Sequence, residues 1–155
     1  MAIWNFAFGS HLSKTRLREI IGQEPTRAMR AILPDHRLTF WKLSRVLPEY
    51  AKLASGGSPA LVPAQGHRVH GVVYEISERQ LVVLDKYEKE WDYERVQVRV
   101  QLEDGRSLLA YAHNRTEPNE FAPPSGDFLL LMMDGLRQHG YSNDVIQEVR
   151  ETAAP

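Results

Sequence analysis

The chain has 155 residues, 43% of them hydrophobic and 25% charged, with a formal net charge of −1. That is one domain of ordinary globular composition, long enough to bury a core without metals or crosslinks, and it is read as a single unit over residues 1–155. With balanced charge and no basic block, nothing points to nucleic acid or an anionic membrane, and neither is expected as a partner. With no cysteine, disulfides, thiolate-ligated zinc and thiol catalysis are excluded too. The longest apolar run, Phe128 to Met133, is far too short to span a bilayer. Met1 to Asn5 has no basic stretch ahead of an apolar one, so a cytoplasmic setting is expected.

In chain order, Ala2 to Phe8 reads as a short apolar and aromatic strand. Gly9-Ser10-His11 turns, and Ser13 caps a helix that runs to Gly22, a glycine suited to the left-handed residue after a helix. Thr26 to Ile32 is assigned as helix on the propensity of Ala28, Met29, Arg30 and Ala31. Pro34-Asp35 predicts a turn, and Arg37 to Lys42 alternates as a strand. Leu43 to Pro59 carries little pattern, with a helical turn near Tyr50 to Leu53 and a flexible Ser55-Gly56-Gly57-Ser58-Pro59 at its end. Leu61-Val62 is a short strand stopped by Pro63, Gln65-Gly66 turns, and Val69 to Ile76 is a strand. Ser77-Glu78-Arg79-Gln80 is a capping box that opens a helix ending near Glu88. Tyr93 to Leu102 alternates, Asp104-Gly105 marks a hairpin, and Leu108 to Ala112 is its second strand. Helices follow over Gly126 to Gln138, stopped by Gly140, and over Asn143 to Glu151 behind a Ser142 cap.

Two places carry chemistry. On the central helix Leu81, Val83 and Leu84 form the inward arc, with Asp85 and Lys86 turned to solvent. Glu88 continues the arc at i+7 from Leu81 and i+4 from Leu84. A carboxyl there is costly when ionised, so its pKa rises, which suits a general base near neutral pH. From this segment alone the simpler reading is preferred, a helix-terminal glutamate turned outward beside Glu90 and Glu94. The second place is Phe8-Gly9-Ser10-His11-Leu12, between a strand and a helix. Converging backbone N–H groups there can form an anion-binding concavity, although many Gly-Ser turns bind nothing. Other constellations fail. His67 and His70 face opposite sides of a strand and make a poor metal pair. Asp85 with Glu88 is an incomplete glycosidase pair, because only one lies on the inward arc. Ser10 lacks a nucleophile elbow and an orienting acid.

Together these segments resemble the γ-glutamylcyclotransferase family, including its AIG2-like members. Its Tyr-Gly-Ser-Asn-Leu loop is similar to Phe8-Gly9-Ser10-His11-Leu12. Its Gly-Val-Val-Tyr strand and Leu-Asp-x-x-Glu helix end match Gly71 to Tyr74 and Leu84 to Glu88. The tyrosines opening the next strand and lying in its partner match Tyr93 and Tyr111. Pro-Ser-x-x-Tyr resembles Pro124 to Phe128, and a late Gly-x-x-x-x-Gly matches Gly135 to Gly140. Leu43 to Pro59 has no counterpart. The resemblance implies an α+β fold, a small mixed, barrel-like β-sheet flanked by helices. It also implies cyclisation of a γ-glutamyl amide to 5-oxoproline with release of an amine, with no cofactor and no metal. Glu88 would be the acid–base, Tyr111 would hydrogen-bond and orient it, and Gly9 to Leu12 would hold the glutamyl group. Phe8, Tyr93 and Phe128 fall at substrate-lining positions.

Three departures from that pattern concern the polar lining. Phe8 and Phe128 lack the family's hydroxyls, and His11 replaces an asparagine with a side chain that can turn cationic in mild acid and so help hold an anion. They bear on the choice of substrate more than on the chemistry. His11 reads equally as an exposed loop residue, and Tyr93 equally as a core tyrosine. The expected partner is a small γ-glutamyl substrate, with the oligomeric state and the leaving amine open. A non-catalytic binding module on the same fold and an amide hydrolase, in which Glu88 activates water, are the alternatives.

Overall fold

The computed structural model describes residues 2–43 and 56–155. Strand β1 (Ile3–Ala7) leads through a 3₁₀ turn (Ser10–Leu12) into α1 (Lys14–Ile21). Strands β2 (Arg27–Trp41) and β3 (Ser58–Ile76) follow, then α2 (Glu78–Lys89), β4 (Tyr93–Leu102), β5 (Ser107–Arg115), α3 (Gly126–Gln138) and α4 (Asn143–Ala153). The five strands close a barrel in the order β1-β3-β2-β4-β5. All neighbours are antiparallel except β1 and β5, which meet in parallel at Asn5 and Tyr111. The helix expected near Tyr50 to Leu53 lies outside the described residues.

Side-chain alternation divides the core in two. Phe6, Phe8, Leu33, Val69, Val73, Val100 and Ala112 fill the barrel, whereas Ala7, Val72, Tyr74 and Ile76 turn outward against Leu81, Leu84, Met132 and Leu136 of the helices. A strand buried on both faces reads as a continuous apolar run, as Gly71 to Tyr74 does. The helix starts follow the expected caps. Ser13, Ser77, Ser125 and Ser142 each accept the N–H three residues on, and Gln80 completes the capping box at 2.9 Å from the Ser77 amide.

Two expectations are corrected. Thr26 to Ile32 is not helical: β2 begins at Arg27, because pairing with β3 over its whole length and burial of Ala31 and Leu33 override a weak local propensity. The turns expected at Pro34-Asp35 and Gln65-Gly66 do not end their strands. Both residues take positive φ (58° at Asp35, 82° at Gly66), Gly66 N–H donates to Asp35 Oδ1 at 3.0 Å, and the register shifts between Pro34 and His36. Each signal marks a bend in a strand that continues. On α2 the buried residues are Gln80, Leu81 and Leu84, while Val83, expected inward, is exposed. Among the described residues no helix is long and apolar enough to cross a membrane.

Candidate active site

At one end of the barrel a cavity of about 380 Å³ opens between the β1 exit, the end of α2 and the start of α3. The loop after β1 forms one wall and is held from behind. Leu12 C=O accepts from Tyr74 Oη at 3.2 Å and His139 Nε2 at 3.1 Å. A Cβ on Gly135 of α3 would fall 2.5 Å from the Leu12 carbonyl carbon, so only glycine lets α3 cross the turn this closely. Gly9 is similarly pressed, with its Cβ position 2.9 Å from Pro59 Cγ. A helical turn leaves its first N–H groups without intrahelical acceptors, and here they belong to Ser10 and His11.

Glu88 reaches the cavity from the last turn of α2, its side chain only 12% exposed. Its Oε1 lies 3.3 Å from His11 Nε2, without the alignment of a hydrogen bond. Burial drives both groups toward their neutral forms. Glu88 is raised from 4.5 to about 8, held back by the Arg16 cation, and His11 is lowered from 6.5 to about 3, with His113 and Arg16 adding to the effect. The expectation of a cationic His11 in mild acid is thereby corrected: it is buried and neutral, and offers polarity rather than charge.

Phe8, Gly9, Ser10, His11, Glu88, Tyr93 and Phe128 all line this cavity, although they come from four separate parts of the chain. Phe8 stacks on Phe6 at 6.2 Å and closes the barrel end. Tyr93 is fixed through its hydroxyl to the Pro59 carbonyl, and burial pushes its pKa up. Two of the expected site residues lie elsewhere. Leu12 is 1% exposed and packs in the helix-side core. Tyr111 is not part of the lining and makes no hydrogen bond to Glu88 among the described residues; Arg95 covers its ring at 5.1 Å. The strand repeat explains the displacement. Residues 111, 113 and 115 share one face of β5, and the residue that arrives at the cavity is His113.

Sequence reasoning missed Asn5, Arg16, Tyr87, Trp91 and His113. Tyr87 adjoins Glu88 in α2, and Trp91 follows one turn later, just past the helix end, where its N–H donates to the Glu88 carbonyl at 3.0 Å. Arg16 Nη2 donates to Tyr87 Oη at 2.8 Å. Asp85, expected in solvent, instead accepts from His113 Nε2 at 2.7 Å and from Arg95 Nε at 3.2 Å. Among the described residues, four buried side-chain atoms lack a hydrogen-bond partner: Asn5 Oδ1, His11 Nε2, Arg16 Nε and Trp91 Nε1. All four residues line this cavity. Buried polar atoms are rarely left unsatisfied, so their concentration here marks a place where a ligand or ordered water can complete the hydrogen bonding.

Residues 5–130 match the family described as gamma-glutamyl cyclotransferase, AIG2-like. The chain belongs to this family. Solved structures agree on the fold. A gamma-glutamyl cyclotransferase superposes with a TM-score of 0.84 at 22% identity, covering 100% of this chain and 89% of the other. An uncharacterized protein from Homo sapiens gives 0.84 at 23%, covering 99% and 89%. A yeast gamma-glutamyl cyclotransferase specific to glutathione gives 0.66 at 14%, covering 97% and 96%. No curated protein matches the chain in sequence. Like its γ-glutamyl cyclotransferase neighbours, the chain is a mixed α+β domain on a closed five-stranded barrel.

Proposed function

We propose that this γ-glutamyl cyclotransferase family member cleaves a γ-glutamyl amide by cyclisation, releasing 5-oxoproline and a free amine, with Glu88 as the acid–base. The observation that carries this reading is a carboxyl buried in the ligand-sized cavity, opposite the Gly9–His11 loop, with its pKa raised to about 8. A base that titrates near the working pH is matched to proton transfer. The substrate's α-ammonium adds a positive charge beside Glu88, which favours the carboxylate at the moment it is needed. Glu88 takes a proton from that ammonium, and the freed amine attacks its own γ-carbonyl. The protonated carboxyl then supplies the amide nitrogen as it leaves.

In this reading the N–H groups of Ser10 and His11, which have no intrahelical acceptors, hold the glutamyl carboxylate, and Phe8, Tyr93 and Phe128 fold the chain toward ring closure. Holding the two ends together supplies effective molarities of roughly 10⁵–10⁸ M. No covalent enzyme intermediate is required. The test is a panel of γ-glutamyl conjugates analysed for 5-oxoproline and for glutamate. Release of 5-oxoproline supports cyclisation, release of glutamate supports the hydrolase, and tight binding without turnover supports a binding module.

A further inference from the structure

Cyclisation moves more protons than one carboxyl can hold. The α-nitrogen enters as an ammonium with three protons and ends as a lactam N–H with one. The ring C–N bond forms, the amide C–N bond breaks, and the leaving nitrogen gains one proton as it departs as a neutral amine. Glu88 can take the first proton and hand it to that nitrogen. The second, released by the ring nitrogen after attack, needs another acceptor, and from there it passes to solvent or to the freed amine.

We infer that His113, oriented by Asp85, is the second base of the site and takes the ring-nitrogen proton. This rests on the cyclisation reading above. His113 is buried, lines the cavity with Glu88 and His11, and is held at 2.7 Å by Asp85, which sits on α2 three residues before Glu88. Donation of Nε2–H to the Asp85 carboxylate leaves Nδ1 with the lone pair, the tautomer a base requires. Arg95 from β4 braces Asp85 through a two-point contact, so the carboxylate is fixed before substrate arrives. The titratable and charged groups acting on His113 are Asp85 from α2, Arg95 from β4 and His11 from the loop after β1. Burial lowers its pKa, while the Asp85 carboxylate opposes that and stabilises the imidazolium once formed. His11 meets only the Glu88 carboxyl, at 3.3 Å and without the alignment of a hydrogen bond, and its pKa of about 3 makes it a poor proton acceptor.

The role has a signature that a structural histidine lacks. After attack, the intermediate can expel either nitrogen. An alkylamine leaves no more readily than the ring nitrogen, so the intermediate falls back unless that nitrogen has lost its second proton. p-Nitroaniline is a far weaker base and leaves more readily, so less of the intermediate falls back and slower loss of the ring-nitrogen proton, to water, is tolerated. The experiment compares wild-type protein with H113Q and D85N on a γ-glutamyl alkylamide and on γ-glutamyl p-nitroanilide, measuring 5-oxoproline. D85N keeps the acceptor oxygen and the packing, so it guards against misfolding of H113Q, and near-UV circular dichroism checks both. The expected result is a loss of about 10²–10⁴-fold in kcat for H113Q on the alkylamide, a smaller loss in the same sense for D85N, and for each variant a loss on the anilide at least about tenfold smaller than on the alkylamide. Equal losses on both substrates, or no loss on the alkylamide, overturn the role of His113 and leave cyclisation standing. Wild-type protein that forms 5-oxoproline from neither substrate overturns the cyclisation reading, and the second base with it.

Discussion

Replacing Glu88 with glutamine tests the buried base without any knowledge of the substrate. Glutamine matches the protonated carboxyl in size and polarity but cannot ionise. In the unfolded chain Glu88 loses its proton near 4.5, and in the folded protein near 8. Between those values the native state holds the extra proton, so wild-type stability falls as pH rises from about 4.5 to 8 and is flat beyond. The difference corresponds to about 5 kcal/mol as an upper limit, since the cavity admits water. In a chain of this length that is at most roughly 15 °C in Tm. Thermal melts of wild type and Glu88→Gln from acid to alkaline pH should therefore start together and diverge, the variant being the more stable above about pH 8. A Tm difference that does not change with pH would mean that Glu88 ionises normally, and the argument for a raised base would fail.

His11→Asn removes a histidine that folding keeps neutral, its pKa being lowered from 6.5 to about 3. Wild-type protein should lose stability as pH falls through that window, and the variant should lose less of it, as read by acid titration of the circular dichroism signal. Because His11 carries no charge at neutral pH, the same substitution should change KM equally across about pH 5.5–8.5; a KM effect confined to the acidic end would refute this. Gly135→Ala puts a methyl against the Leu12 backbone and should cost about 1–3 kcal/mol, with the damage to kcat/KM exceeding that of a distant substitution of equal cost. Tyr93→Phe leaves the Pro59 carbonyl without its hydroxyl donor and should lower stability by about 1–3 kcal/mol in chemical denaturation.

Much of the fold was legible because local chemistry and global placement agree. Ser13, Ser77, Ser125 and Ser142 cap helices that tertiary packing also requires, and Asp104-Gly105 turns where β4 and β5 pair, with Gly105 at φ 89°. Thr26 to Ile32 misled because pairing partners roughly forty or more residues away decide its state, and no local window contains them. Pro34-Asp35 and Gln65-Gly66 misled differently. Each has the chemistry of a turn, but facing one another across two strands they produce a bend.

At the site, an interrupted apolar stripe and a glycine between strand and helix drew attention to Glu88 and the Gly9-Ser10-His11 loop, but alone they favoured an outward glutamate and an ordinary turn; the family resemblance selected both. Tyr111 and His113 share a strand face, so alternation cannot say which one meets the cavity; that depends on where β5 ends relative to α2. Asp85 looked solvent-facing on a helical projection, which contains neither Arg95 nor His113. The neutral state of His11 is a consequence of burial that only the assembled walls create.

The most direct test of the account is the pH profile of kcat/KM for 5-oxoproline release from a γ-glutamyl amide by wild-type protein and by Glu88→Gln. An ascending limb near pH 8, the free-enzyme pKa of Glu88, is expected in wild type, and in the variant a rate lower by at least about 10²-fold with that limb gone. A variant that forms 5-oxoproline at the wild-type rate with the same limb would contradict this.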